Sequence, residues 1–280
     1  TDIRDTRCLV LIGSHIGENM HNSQVQEMSD AIDKGAVIIT VDPRFSTAAG
    51  KSKYWLPIKP ATDMALLLAW MHEIIYNDYY DRKYVEKYCL GFDQLKAHVR
   101  DFTPEWAHGI TTIAPDIIRK TAREMANASP AVLVHPGRHV TWYGDDTQRS
   151  RAIAILNALL GSWGRRGGFY RPARYELPSP VLPAYPEPSR TWADLFPGKY
   201  PGAGLPVTNA LIDGSIPENN PAYPIKGWIV NACNLMLTVP DQAKTIKAIQ
   251  NLDLVVAVDT MPMEITGWAD VVLPECTYLE

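Results

Sequence analysis

The sequence predicts an α/β fold: two Rossmann-like domains with parallel or mixed sheets flanked by helices. Three observations carry that reading. Short, almost wholly apolar runs alternate with amphipathic segments of helical period through the first hundred residues, as a parallel α/β layer requires. The runs end in glycine or Asp-Pro, which turn the chain out of the sheet. The same alternation returns after residue 224.

Residues 7–12 (RCLVLI) lead into Gly13 and read as a strand buried on both faces. Residues 23–34 follow as a helix, with Val25, Met28, Ala31 and Ile32 on one face and Gly35 as its stop. Residues 36–41 (AVIITV) form the next strand, ending at Asp42-Pro43, and residues 55–58 a short third one. Residues 64–76 are a helix with Thr62 or Asp63 as N-cap. Two strand-to-helix transitions this close together make a right-handed parallel crossover the default.

Residues 79–128 read as mostly helical, with a helix at 116–128 introduced by Pro115. A strand at 131–135 and a helix at 147–160, stopped by Gly161, open what reads as the second domain. The expected division is 1–129 and 130–280. Twelve of the 22 prolines fall within 171–224, a density at odds with regular helix or central strand. Beyond it, strands at 227–230, 254–258 and 270–273 and a helix at 240–251 restore order.

The chain has 280 residues, 46% hydrophobic and 21% charged, with a formal net charge of -4. That balance disfavours nonspecific nucleic-acid binding, which needs surplus cations. No apolar run reaches the roughly 18 residues of a membrane-spanning helix, so direct membrane insertion is not expected. The first seven residues are polar but for Ile3 and lack a signal-peptide pattern. Cys8, Cys89, Cys233 and Cys276 show no CxxC spacing, so no metal or iron-sulfur ligand set is encoded locally. Cys8 and Cys276, within or beside apolar runs, are expected to behave as small buried hydrophobes.

Ligands of open parallel sheets bind beyond the carboxyl ends of the strands, which directs attention to three segments. The first is GSHIGEN, residues 13–19: Gly13 and Gly17 permit close backbone approach, while Ser14, Glu18 and Asn19 offer polar groups, with His15 among them. It is not GxGxxG, which disfavours a standard NAD site, and an ordinary strand-to-helix turn is an open alternative. The second is Asp42-Pro43-Arg44-Phe45-Ser46. An acid here commonly reads ribose hydroxyls or a base amine, and Arg44 suits a phosphate; equally, Asp42 can cap the next element with Arg44 as its ion partner. The third is Ala61-Thr62-Asp63, where Asp63 either caps the helix or accepts two hydrogen bonds from a guanine edge.

In this order, GSHIGEN, VDPRFSTAAGKSKYWLPIKPATD, GFDQL, FTPEWA, DIIRKTARE, NALLGSWGRRGG, GWIVNACN and LDLVVAVDTMPMEITGWADVVLPE resemble the molybdopterin oxidoreductases that carry bis-molybdopterin guanine dinucleotide. HIGEN and HPGRHVTWYG look most like polysulfide and thiosulfate reductase catalytic subunits. The resemblance implies the central cofactor-binding part of a larger molybdoenzyme fold. In that family a cysteine-rich iron-sulfur segment and the metal-ligand loop precede the first strand, so an internal fragment is the expectation.

The resemblance further implies that Ser14, Glu18 and Asn19 contact one dinucleotide, with Asp42, Arg44, Ser46, Ala61, Thr62 and Asp63 at its guanosine end. Asn234, Asp259 and Thr260 would meet the other. Cys233-Asn234-Leu235 lacks the family's frequent Asn-Pro pair, and Pro60-Ala61 replaces Pro-Gly. Arg138 and His139 would border the metal, an anion-holding group beside a proton donor; a polar loop with its Arg in an ion pair is the alternative. His15 is open to the same cavity or to a local hydrogen bond. Molybdenum or tungsten, an inorganic sulfur substrate, an iron-sulfur electron-transfer subunit, a quinol-linked membrane subunit and a periplasmic location are likewise implied. Rival readings are a sister enzyme acting on arsenate, tetrathionate or nitrate, a cofactor-free structural subunit, and a simple nucleotide-binding module. Asp145, Asp146, Arg149 and Arg151 read as a solvated helix start, Arg165-Arg166-Gly167-Gly168 as a glycine turn or a phosphate contact, and Trp228 and Trp268 as packing residues.

Overall fold

The computed structural model describes residues 1–14, 16–18, 22–137, 147–170, 175, 178, 208–220, 222–277 and 279–280. They fall into two compact units, Thr1–Leu177 and Pro178–Glu280.

In the first unit, β1 (Cys8–Ile12), β2 (Val37–Val41), β3 (Tyr54–Leu56) and β4 (Val132–Val134) form a sheet of order β3-β2-β1-β4, and every pairing is parallel. The two-residue period of the strands explains the layering. Cys8, Val10, Ile12, Ile39, Val41, Val132 and Val134 face one buried cluster, shared with α3 (Asp63–Tyr76), α6 (Pro104–Thr111), α7 (Pro115–Ala128) and α8 (Thr147–Leu159). Leu9, Leu11, Ile38 and Leu133 face another, with Met28 of α1 (Asn22–Asp33) and Ile16. Each such aliphatic side chain taken out of water contributes about 1.5–3 kcal/mol. In chain order the four-residue α2 (Thr47–Gly50) lies between β2 and β3, and the helices α4 (Arg82–Tyr88) and α5 (Phe92–His98) follow α3. Trp70 is fully buried, and its indole N–H is satisfied by Thr121 Oγ1 at 2.9 Å, joining α3 to α7.

β4 pairs with β1, so the boundary expected at 129 falls inside the first unit. The apolar run looked like a new start because its partner strand lies more than a hundred residues earlier. β3 ends at Leu56, two residues before its expected end, because Pro57 has no N–H to continue the ladder.

β4 is an edge strand, and its outer edge is closed by one side chain. Asn157 of α8, wholly buried, donates to Val134 O at 2.9 Å and to Ile153 O at 3.0 Å. Its Oδ1 accepts from Val134 N and from Ser162 Oγ, each at 3.0 Å. The amide therefore substitutes for a fifth strand with all four of its bonds made.

The second unit holds β5 (Gly227–Asn231), β6 (Leu254–Asp259) and β7 (Val271–Pro274), parallel and in that order. Val230 and Val255 pack with Met236, Ile249 and Ile265 under the helices Leu235–Thr238 and Gln242–Ile249 and the 3-10 turn Glu264–Trp268. Asp270 locks β7 to β6: its carboxylate accepts from Val255 N at 2.7 Å and its own N–H donates to Val255 O at 2.9 Å. A helix at Thr208–Gly214 sits within the proline-rich stretch, where regular helix was not expected; the interval between Pro206 and Pro217 is long enough for two turns. Trp228 packs as expected, its indole N–H on Ser215 Oγ at 2.9 Å, whereas Trp268 is 39% exposed.

Replacing Asn157 by Ala strips Val134 of both backbone partners, and the expected loss is about 2–4 kcal/mol in urea unfolding. A change below about 0.5 kcal/mol, the size of an ordinary surface substitution, would show that β4 does not depend on the amide.

Candidate functional site

Because β2 lies on one side of β1 and β4 on the other, the order of the strands reverses at β1. The crevice beyond the carboxyl ends of β1 and β4 is the place such folds offer a ligand. Gly13, with φ 56°, and Gly137, with φ 69°, turn the chain there. Ser14 is 6% exposed and His135 5%. His135 Nδ1 accepts the Gly137 N–H at 3.1 Å, which leaves the ring proton on Nε2.

Next to this crevice, the loops after β1 and β2 are bound together through Glu18. Its Oε2 accepts from the Arg44 guanidinium at 2.5 Å, and its Oε1 accepts from Thr47 N, in the first turn of α2, at 2.8 Å. The carboxylate thus satisfies an orphan N–H at a helix start, and its hydrogen bond and charge raise the pKa of Arg44. Asp42 accepts the backbone N–H of Arg44 at 2.9 Å, while its carbonyl takes the Trp55 indole N–H at 2.8 Å. Both open readings of Asp42 and Arg44 need amendment. Asp42 closes its own turn, and the hydrogen-bonded guanidinium partner of Arg44 is Glu18 rather than Asp42. With Arg44 neutralised by Glu18 and Asp42 alongside, this corner favours hydroxyl and amine donors over a phosphate. Ser46 is buried, caps α2 and accepts from Ala49 N at 3.3 Å.

The third segment meets the start of α3. Ala61 holds φ 64°, the left-handed conformation that the family's glycine would take without strain. Thr62 occupies the N-cap position but does not cap; its hydroxyl donates to Lys59 O at 2.6 Å. Asp63 begins α3 and accepts from Arg149 at 3.1 Å through Oδ2. Both side chains are less than one-fifth exposed, at 18% and 19%. Arg149 Nε is buried without a partner among the described residues. Arg149 therefore departs from the solvated pairing expected of it; the sequence distance of 86 residues hides the contact.

In the second unit, Asn234 follows β5 and Asp259 ends β6. Asn234 Nδ2 donates to Glu264 Oε2 at 2.5 Å, while its Oδ1 is buried and has no partner among the described residues. The Glu264 carboxyl is held below its ordinary range, first by a backbone N–H and then by Asn234. Asp259 accepts Thr260 N at 2.8 Å.

A family model described as molybdopterin oxidoreductase matches residues 1–280. The chain belongs to the molybdopterin oxidoreductase family. It is 36% identical to the thiosulfate reductase molybdopterin-containing subunit PhsA of Salmonella typhimurium, over 100% of this chain and 38% of that protein. It is 29% identical to the dimethyl sulfoxide reductase DmsA of Escherichia coli, again over 100% and 38%. Among solved structures, acetylene hydratase from Pelobacter acetylenicus superimposes with a TM-score of 0.79 at 28% identity, covering 99% of this chain and 42% of that one. The chain thus spans about two-fifths of the length of these relatives.

Membership of the molybdopterin oxidoreductases implies a molybdenum or tungsten pterin cofactor. The residues present fit a polar ligand at the carboxyl edges of both sheets: the Arg149 Nε and the Asn234 Oδ1 are buried with no partner among the described residues. Among the described residues no group of three His, Cys, Asp or Glu side chains is placed to hold a metal. Cys8 is fully buried, and burial pushes its thiol far above the ordinary range; Cys276 is exposed, contrary to expectation. An open cleft of about 390 Å³ lies at the other, amino-terminal edge of the first sheet, bordered by Asp5, Arg7 and Lys34. Its polar side chains are already engaged: Asp5 binds Lys34 at 3.0 Å and Arg166 at 2.7 Å, and Arg7 donates to the backbone Asn127 O at 2.9 Å. The carboxyl edge, with its unmet donors and acceptors, is the better site.

Of the residues singled out in the sequence, Gly13, Ser14, Glu18, Asp42, Arg44, Ser46, Ala61, Thr62 and Asp63 lie along one edge of the first unit, and Asn234, Asp259 and Thr260 along the corresponding edge of the second. His15, Asn19, Arg138 and His139 lie outside the described residues, as do Asp145 and Asp146. Arg165 and Arg166 are ion-paired to Asp81 and Asp5, at 2.8 Å and 2.7 Å. A Cβ added to Gly167 would fall 2.4 Å from Asp5 O, so that segment is a tight structural turn. Sequence reasoning missed His135, Arg149 and Glu264; only the position of His135, at the carboxyl end of an apolar run, signalled it.

Gly17 has φ 93°, and a Cβ there would meet Thr47 Cγ2 at 3.1 Å, against the helix start that Glu18 caps. Gly17→Ala is expected to destabilise the chain by about 1–2 kcal/mol. Gly109→Ala, in the open helical position of α6, should stabilise it by about 0.5–1 kcal/mol. Denaturant unfolding reads both; the same sign for the two would remove any conformational demand at Gly17.

Proposed function

We propose that this is the central, cofactor-gripping portion of a catalytic subunit that reduces an inorganic sulfur compound, thiosulfate or polysulfide, with bis-molybdopterin guanine dinucleotide. One observation supports the cofactor reading above the rest: buried or half-buried acceptors, Asp42 and Asp63, stand at the carboxyl edge of an all-parallel sheet of order β3-β2-β1-β4, where a nucleotide's ribose and base present their donors. The 36% identity to a thiosulfate reductase subunit supports the substrate class.

When bound, the metal centre supplies the two-electron chemistry. The chain's own residues grip and orient. In this reading Asp42, Ser46 and Asp63 take ribose hydroxyls and the amine edge of one guanosine, and Ser14 faces its linker. Asn234, Asp259 and Thr260 serve the second. Arg138 holds the anionic sulfur substrate and His139 delivers a proton as the sulfur bond is cleaved. Electrons arrive from an iron-sulfur cluster outside this chain, through an electron-transfer subunit linked to a membrane quinol-oxidising subunit, on the periplasmic side.

Metal analysis and acid hydrolysis of the purified full-length subunit test the reading. The expected result is molybdenum or tungsten with about two guanosine monophosphates released per metal, and reduction of thiosulfate or polysulfide by a reduced viologen. Protein free of metal and pterin would overturn the cofactor reading. Turnover of nitrate, arsenate or tetrathionate alone would replace the substrate class.

A further inference from the structure

Asp63 is held by one residue that no motif marks. At the first position of a helix an aspartate ordinarily turns back to the free N–H groups of its own first turn. Asp63 instead reaches across to Arg149, in the first turn of α8, through Oδ2 at 3.1 Å. Its Oδ1 accepts no hydrogen bond among the described residues. The contact is single rather than forked, so the carboxylate is anchored at one oxygen and open at the other. Arg149 serves no second acid: its Nε is buried without a partner, and Asp63 is its one ion-pair partner among the described residues. Compare Arg119, which is half-exposed and spans the buried Glu73 and the exposed Glu105.

We infer that Arg149 is a positioning residue that sets base specificity, orienting the Asp63 carboxylate toward the N1–H and N2 amine of a guanine. The inference rests on the guanosine reading above. A carboxylate fixed at one oxygen accepts from two adjacent donors without first losing rotamer freedom. Hypoxanthine, which lacks the N2 amine, makes one bond fewer, so a fixed Asp63 separates the two bases while a mobile one does so poorly.

The test uses the full-length subunit, purified from cells unable to make the pterin cofactor, with GDP and IDP as probes in calorimetric titrations. Wild type is expected to favour GDP by about tenfold, the equivalent of one good hydrogen bond. Arg149→Gln should bring that ratio close to one while leaving IDP affinity within about twofold, and Arg149→Lys, which keeps a single cationic donor, should restore part of the preference. A loss of both affinities together would mark Arg149 as merely structural and overturn the inference. So would an Arg149→Gln protein that keeps the wild-type ratio, or, should that variant fail to fold, an Arg149→Lys protein with no change in it. Wild type without a preference for GDP would sink the guanosine reading itself, and the inference with it.

Discussion

The strand Cys8–Ile12 is buried on both faces and paired in parallel on both edges, and that constraint organises the first unit. A strand so placed has no solvent-facing side, so each of its residues must be apolar and its two neighbours must run in the same direction. Parallel neighbours bring all carboxyl ends to one edge. The polar residues that follow each strand are then gathered there by geometry, although they are dispersed in the sequence from Ser14 to His135.

Electrostatics decides what that edge can receive. Had Arg44 stood without an acid beside it, the corner would suit a phosphate. Glu18 neutralises it and at the same time takes the first N–H of a short helix, which leaves Asp42 as acceptor. The corner therefore suits donors such as ribose hydroxyls and base amines. Asn157 contributes from the opposite side of β1: by closing the β4 edge it fixes the strand end from which His135 emerges.

The sequence announced the strands wherever a short run of branched aliphatic residues stands between turn signals, in the buried Cys8–Ile12 and in the exposed Val271–Pro274 alike. It announced the candidate site through turn residues at strand ends, where glycine and Asp-Pro are required by the backbone. The domain boundary was misplaced for a physical reason: β4 looks like any apolar run, and nothing local says that its partner is β1. Arg149 stayed hidden likewise, since a charged residue in the first turn of a helix resembles a solvated one until the fold brings Asp63 to it. Glu264 was invisible because its partner Asn234 lies 30 residues away and on another element. Local chemistry is legible in the sequence, and long-range pairing of polar groups is not.

In the proposed reading, the carboxyl edges of the two parallel sheets receive guanosine nucleotides. Hydrogen exchange of the cofactor-free full-length subunit with and without GDP tests it most directly. Slower exchange is expected at residues 13–18, 42–47 and 61–66 in the first unit and 231–236 and 259–262 in the second, with the amino-terminal edge around residues 5–7 and 34–37 unchanged. Protection confined to that amino-terminal edge, or to neither edge at saturating GDP, would contradict it.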